Sequence, residues 1–239
     1  MNKSHLEPAQ LDKLRRLDSC SVANAIEVFN VRLRNVGFTD SGVHCIFPEF
    51  PSMVGYAATV RVRTSEPPME GERYYYQLDW LDHVLSIPAP RVLVVQDMDQ
   101  HPGLGAFAGD VIANILFALG CVGVVTNGAV RNVSEVKALQ FQMYAGNLSV
   151  SHAFAHVFDF GTPVEVGHMQ VRPGDLLHGD RHGVQTIPLE IAHKIPAVAQ
   201  EFIEQEREIV QLCQSKEFST ERLRADAAAL AVKRKAFKA

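Results

Sequence analysis

Hydrophobic positions along this chain change period several times, and each change marks an element. Leu11, Leu14 and Leu17 recur at helical spacing and predict a short amphipathic helix. Ser19 or Ser21 then caps a second helix carrying Val22, Ala25, Ile26 and Phe29. Residues 33–51 show no clean period and predict a loop with one possible strand. Residues 55–63 alternate, Ala57, Thr59, Arg61 and Arg63 against Ala58, Val60 and Val62, as in a half-buried strand. A helix follows through Tyr75, Leu78, Leu81 and Val84. Residues 91–95 and 121–125 are short, β-branched and continuously apolar, the pattern of strands covered on both faces.

Between these two runs lies a Gly-rich loop, 101–109, and then a helix over 110–120 with Val111, Ile112, Ile115, Leu116 and Leu119 on one face. Asn127-Gly128 is a turn, 130–139 a helix and 141–144 a strand. Strand–helix–strand–helix–strand within so short a segment predicts a parallel sheet with right-handed crossovers. Short β segments over 163–166, 169–171, 175–177 and 183–187 are separated by Gly and Pro. In the tail, Ile195, Val198, Phe202, Ile209 and Leu212 predict a helix interrupted by Gln205, and Ser219 caps a last one. These helices cover the domain or pack on another subunit.

Composition narrows the class. The 239 residues are 47% hydrophobic and 21% charged, as in an ordinary globular protein. A net charge of −4 gives no electrostatic reason to expect nucleic acid. The four cysteines have no zinc-like spacing, and Cys20 and Cys121 stand in apolar company as buried free thiols would. The first eighteen residues lack the apolar core of a signal peptide, and the apolar run 111–125 is too short to span a bilayer. No membrane contact and a cytoplasmic location are the expectation.

Candidate chemistry gathers around two helix starts. Asp110 opens a helix straight after Gly103, Gly105 and Gly109, and the first amides, at Val111 and Ile112, lack intrahelical acceptors. With the helix dipole they suit a carboxylate or a developing enolate oxygen. The plainer alternative is that Asp110 caps its helix and the glycines shape the loop. Arg131, after the Asn127-Gly128 turn, would hold a carboxylate through two parallel hydrogen bonds or serve as a surface ion-pair partner. Both segments follow buried strands of one parallel unit, where ligands gather at the carboxyl ends.

The spacing Asp110, twenty residues, Arg131-Asn132 resembles the D-x20-R-D motif of the RraA-like family, which includes 4-hydroxy-4-methyl-2-oxoglutarate aldolases and the regulator of RNase E activity. The segment 123–130, the stretches Val171-Arg172-Pro173-Gly174-Asp175 and Asp180-Arg181-His182-Gly183-Val184, and the opening Ser21-Val22-Ala23-Asn24-Ala25-Ile26 are also similar to it. The likeness covers residues 15–190. It implies an α/β fold of the three-layer swivelling β/β/α kind, like the phosphohistidine domain, over residues 1–190. Residues 191–239 would then add C-terminal helices for packing or oligomerisation. It also implies homotrimers or hexamers with sites between subunits.

By the same resemblance, the amides of Val111 and Ile112 receive a pyruvyl enolate and carboxylate, Arg131 binds the 2-keto acid, and Asp110 positions a water that delivers a proton. Mg2+ or Mn2+ would polarise the 2-keto group for carbon–carbon cleavage.

The chain departs from that pattern where it matters for metal. Asn132 stands at the family's metal-binding aspartate and Asn127 at the aspartate before the turn glycine. An amide oxygen brings no charge, and losing a carboxylate–cation attraction is worth on the order of several kcal/mol. That corresponds to about a thousandfold in affinity. Two functions follow: a metal-dependent lyase, retro-aldol or oxaloacetate-decarboxylating, with an impaired metal site, or a lapsed member that binds a small acid or a protein. Other candidates carry weaker patterns. His152 and His156 are four apart without a convincing helix, and His178 and His182 flank a turn. Tyr74-Tyr75-Tyr76 with Trp80 suits core or subunit contact, and residues 201–208 suit a solvated helix face.

Overall fold

The computed structural model describes residues 5–68 and 78–236. In chain order the helices are α1 (Pro8–Arg15), α2 (Ser19–Val28), α3 (Trp80–Ser86), α4 (Asp110–Ala118), α5 (Val133–Ala138), α6 (Ile195–Gln214) and α7 (Thr220–Ala236). The strands are β1 (His44–Cys45), β2 (Met53–Arg63), β3 (Arg91–Asp97), β4 (Ala106–Ala108), β5 (Cys121–Thr126), β6 (Ala129–Val130), β7 (Gln142–Ala145), β8 (Asn147–Leu148), β9 (His156–Phe160), β10 (Val164–Val166), β11 (Met169–Val171), β12 (Leu176–Asp180) and β13 (Gly183–Ile187).

The main sheet runs β1-β7-β5-β3-β2-β12-β13, with β9 also paired to β2. The expected parallel unit is present: β2, β3, β5 and β7 pair in parallel, with Tyr56 opposite Arg91 and Gly123 opposite Gln142. β2 is the hub. One of its edges meets β3, while the other meets β12 through Met53–Tyr56 and β9 through Val60–Arg63. The sequence pattern predicts β2 to be half-buried, yet both of its faces are covered. Tyr56, Ala58, Val60 and Val62 join the helix-side core, and Met53 and Ala57 join a second core with Val164, Val166, Met169 and Val171 of the β10–β11 hairpin. That hairpin is the reason: it supplies a second layer that the local alternation of β2 cannot announce.

A smaller parallel sheet, β4-β6-β8, repeats the order of the large one. β5 and β7 turn tightly into β6 and β8, and β3 leads to β4 through the loop 98–105. Two of these continuations lead directly into helices, β4 into α4 and β6 into α5. The two helix starts singled out by the sequence therefore lie beside each other for a topological reason.

At the N-terminal side the cap of α2 is Asp18, whose carboxylate accepts from the Ser21 amide, and not Ser19 or Ser21. Ser19 has another partner: its hydroxyl meets Nδ1 of the fully buried His178 at 3.2 Å, while Nε2 of that ring faces the carbonyls of Leu14 and Leu17. Both carbonyls only accept, so Nε2 carries the proton and Nδ1 accepts from Ser19. Burial pushes His178 below the usual imidazole range. α6 lies on α2, with Ile195, Val198, Ala199 and Phe202 in the main core. Gln205, the break in the tail's apolar pattern, is itself buried and donates to Glu201. Ser219 caps α7 by accepting from the Arg222 amide. All four cysteines are free; Cys121 is buried as expected, whereas Cys20 is exposed because α2 turns it away from the core.

Candidate functional site

The site is built by the two strand continuations. Gly109 caps α4 in an extended conformation, and the helix ladder begins with the Ala113 amide on the Gly109 carbonyl. The Val111 and Ile112 amides lie ahead of that ladder. Asp110 is partly buried, and among the described residues its carboxylate has no hydrogen bond or ion pair. Val111 is exposed and Ile112 buried, so the helix start presents one side chain outwards and anchors itself with the next.

Arg131 is held in register by its amide, which donates to the Ala108 carbonyl at 3.0 Å. Its Nε donates to Asn132 Oδ1 at 2.9 Å, and Nη1 makes only a long contact of 3.5 Å to the Val150 carbonyl. The outer edge of the guanidinium is thus left to a ligand carboxylate. Asn132 adopts a left-handed conformation, φ 51°, which asparagine tolerates better than most side chains, and it caps α5 without a side-chain cap bond. Gly109 fits beneath this pair. A Cβ there would stand 3.0 Å from Arg131 Cγ and 3.1 Å from Asn132 Oδ1. Arg131 and Asn132 open onto a cleft of about 450 Å3, walled by Val130, Val133, Leu148 and Val150. Asp110, Val111 and Ile112 are beside this cleft and do not line it.

Asn127 does something the turn pattern does not reveal. Its Oδ1 accepts from the Asp97 amide at 2.8 Å and its Nδ2 donates to the Asp97 carbonyl at 3.0 Å, clamping the ends of β3 and β5 together. A carboxylate could make the first bond and not the second. Asp97 itself is buried; burial pushes its carboxyl up, opposed by donation from the Gly103 and Asp99 amides. Asp99 is held below the usual carboxylate range, burial being outweighed by donation from Thr64 and Ser65. The loop leading to β4 and α4 therefore hangs on two carboxylates, and its signal in the sequence is the pair of acids in Asp97-Met98-Asp99.

Asn132 offers a divalent ion an amide oxygen and no charge. The oxygen of Asn132 that would face it is already on a guanidinium, and among the described residues no three His, Cys, Asp or Glu side chains gather for a metal. His152 and His156 share no helix, since His156 lies on β9. His178 packs in the core and His182 bonds Asp180. Trp80 is buried and meets Phe107 edge-on, while Tyr74, Tyr75 and Tyr76 lie outside the described residues.

Residues 19–185 match the family model described as RraA-like, Aldolase/RraA. The chain belongs to the RraA-like family. Among relatives, a Halalkalibacterium halodurans protein named "Putative 4-hydroxy-4-methyl-2-oxoglutarate aldolase" is 34% identical over 84 residues, 35% of this chain and 40% of that protein. Protein DlpA of Legionella pneumophila is 21% identical over 78% of this chain and 28% of its own length. The chain thus spans less than half the length of these curated relatives. In fold it is similar to an uncharacterised protein of Pseudomonas syringae, TM-score 0.73 at 20% identity, covering 94% of this chain and 97% of the other. It is also similar to Streptomyces coelicolor RraAS2, described as an unusual member of the RNase ES inhibitor RraA protein family, TM-score 0.66 at 22% identity, covering 87% and 99%. These likenesses establish a mixed α/β fold of the RraA-like kind. Among the described residues no helix is long and apolar enough to cross a membrane.

Proposed function

We propose that this RraA-like chain binds a small 2-keto acid at Arg131 and the start of α4, and that it has exchanged the family's metal anchor for an amide. The observation carrying this reading is the Arg131 Nε–Asn132 Oδ1 hydrogen bond: the oxygen expected to face a cation orients the arginine instead. In this role the guanidinium edge takes the carboxylate in the cleft, and a ligand reaching beyond the cleft wall would meet the Val111 and Ile112 amides with its keto oxygen. The test is titration of the full chain with pyruvate, without added divalent ion. Saturable binding that Arg131→Ala weakens about tenfold or more is expected, the loss of a charge-assisted hydrogen-bonded pair. Equal binding by wild type and Arg131→Ala sinks the proposal.

A second reading is favoured by the Aldolase/RraA match and the aldolase named among the relatives. It is a carbon–carbon lyase acting on pyruvyl acids by retro-aldol cleavage or oxaloacetate decarboxylation, with Mg2+ or Mn2+ completed by a neighbouring subunit's carboxylate. Pyruvate release from oxaloacetate or 4-hydroxy-4-methyl-2-oxoglutarate that depends on Mn2+ and vanishes in Arg131→Ala would establish it. With either reading we also propose the three-layer swivelling arrangement, a trimer or pair of trimers as the working assembly, and a cytoplasmic location.

A further inference from the structure

A cavity of about 460 Å3 on another part of the molecule lies between the chain that follows α2 and the end of β13. Arg32 is its distinctive wall. This side chain is partly buried, and Nη1 donates to the Thr186 carbonyl at 2.8 Å and to the Thr186 hydroxyl at 2.7 Å. Among the described residues no carboxylate comes within ion-pair distance of it, whereas Arg15, Arg34, Arg61 and Arg222 each have one. Arg91 also lacks a carboxylate, and the contrast is instructive. There Nε, Nη1 and Nη2 all reach carbonyls, those of Ile87, Leu119 and Leu85, so the whole guanidinium is used in stitching the backbone. Arg32 uses a single nitrogen, and its Nε and Nη2 meet no protein acceptor among the described residues.

The guanidinium is also held in place beforehand. Gly37 has φ +85°, and a Cβ on it would stand 2.1 Å from Arg32 Nη1 and 2.6 Å from Cζ. The absence of a side chain at 37 is what lets the arginine lie across this turn. A guanidinium partly withdrawn from water with only one nitrogen bonded keeps a free edge, and an oxyanion across that edge would complete it. Burial pushes the Arg32 guanidinium below its usual range with no opposing carboxylate, in keeping with that geometry.

We propose that this cavity is a second ligand site, which takes a small, singly charged aliphatic carboxylate on Arg32. The rest of the wall sets the class. Val36, Ile187 and Leu189 give it an apolar side for a short hydrocarbon body, while Asp175 and Glu190 on the same cavity oppose a doubly charged phosphate. The site shares no lining residue with the Arg131 cleft.

The test is an NMR titration of the full chain with sodium butyrate at fixed ionic strength, read at the Gly37 amide and the Arg32 Nε–H. Wild type and Arg131→Ala should saturate alike, which separates this site from the one proposed above. Arg32→Lys keeps the charge and loses the fork, and should bind about tenfold more weakly or worse. If that variant does not fold, Val36→Trp decides, since it fills the cavity from an exposed position and should also abolish saturation. A folded Arg32→Lys that binds butyrate like wild type, shifts that never saturate in wild type, or tighter binding of inorganic phosphate or butylamine would each overturn the assignment.

Discussion

Asn127 and Asn132 stand five residues apart, and the structure uses them in opposite ways. At the end of β5 both ends of the Asn127 amide are engaged, one accepting and one donating, against the backbone of a single residue on β3. At the start of α5 only the oxygen of Asn132 is engaged, by Arg131. A carboxylate could take over the second arrangement and could not take over the first. Identical side chains thus have different roles: one amide closes a strand junction, the other orients an arginine at a cleft.

The largest effect that would break this comparison comes from Asn127→Asp. It removes the donor to the Asp97 carbonyl and brings a second negative charge beside a buried carboxyl. A loss of about 2–3 kcal/mol at pH 7 is expected, measurable as a fall in Tm of roughly 5–10 °C. A melting curve superimposable on wild type would show that the clamp is incidental. Gly109→Ala comes next, since its Cβ presses on both Arg131 and Asn132; about 1–2 kcal/mol of stability should go, from overpacking, together with pyruvate affinity. Retained affinity would mean that Arg131 is not positioned from below.

Asn132→Asp should be the mildest, within about 0.5 kcal/mol, because the new carboxylate pairs with a partly exposed arginine. Its informative readout is Mn2+ affinity, and a stability loss as large as that of the Asn127 variant would erase the distinction between the two positions.

Acid sharpens the contrast further. His178 and His83 both have imidazoles pushed below their usual range by burial, and the His83 Nε2 accepts from the Thr59 amide. In each case the unfolded chain takes up protons first as pH falls. Their stabilisation is therefore complete above about pH 6.5 and is lost as pH drops through the lower folded value. Wild type should melt progressively earlier below that point. Against this falling baseline the deficit of Asn127→Asp should shrink in the acid range, because a protonated carboxyl regains a donor, whereas a deficit from Gly109→Ala should stay constant. Urea denaturation at a series of pH values distinguishes the two.

How much of this was legible beforehand depends on the length over which a pattern repeats, or on Gly and Pro that bound a short segment, as they do for β10 and β11. The continuously apolar runs at 91–95 and 121–125, the helix opened by Asp110 and the tail helices are long enough to show a pattern, and each appears close to its expected bounds. β4, β6 and β8 have two or three residues each, too few for a period of their own. The small sheet that sets Gly109 against Arg131 was therefore invisible. The spacing of Asp110 and Arg131 could be read, but the direction of the Asn132 oxygen could not, since it follows from a left-handed backbone at one residue.

The position of β2 has a consequence for how the chain is made. Its partner on one edge, β3, begins with Arg91 opposite Tyr56, yet on the other edge Tyr56 lies opposite Leu176. Non-local pairing of this kind slows folding. At typical elongation rates the later partner leaves the ribosome on the order of ten seconds after β2. Throughout that interval the apolar row Met53–Tyr56 has an unfilled edge. The nascent chain therefore passes through a stage in which β2 lacks a partner on one edge and is open to strand addition.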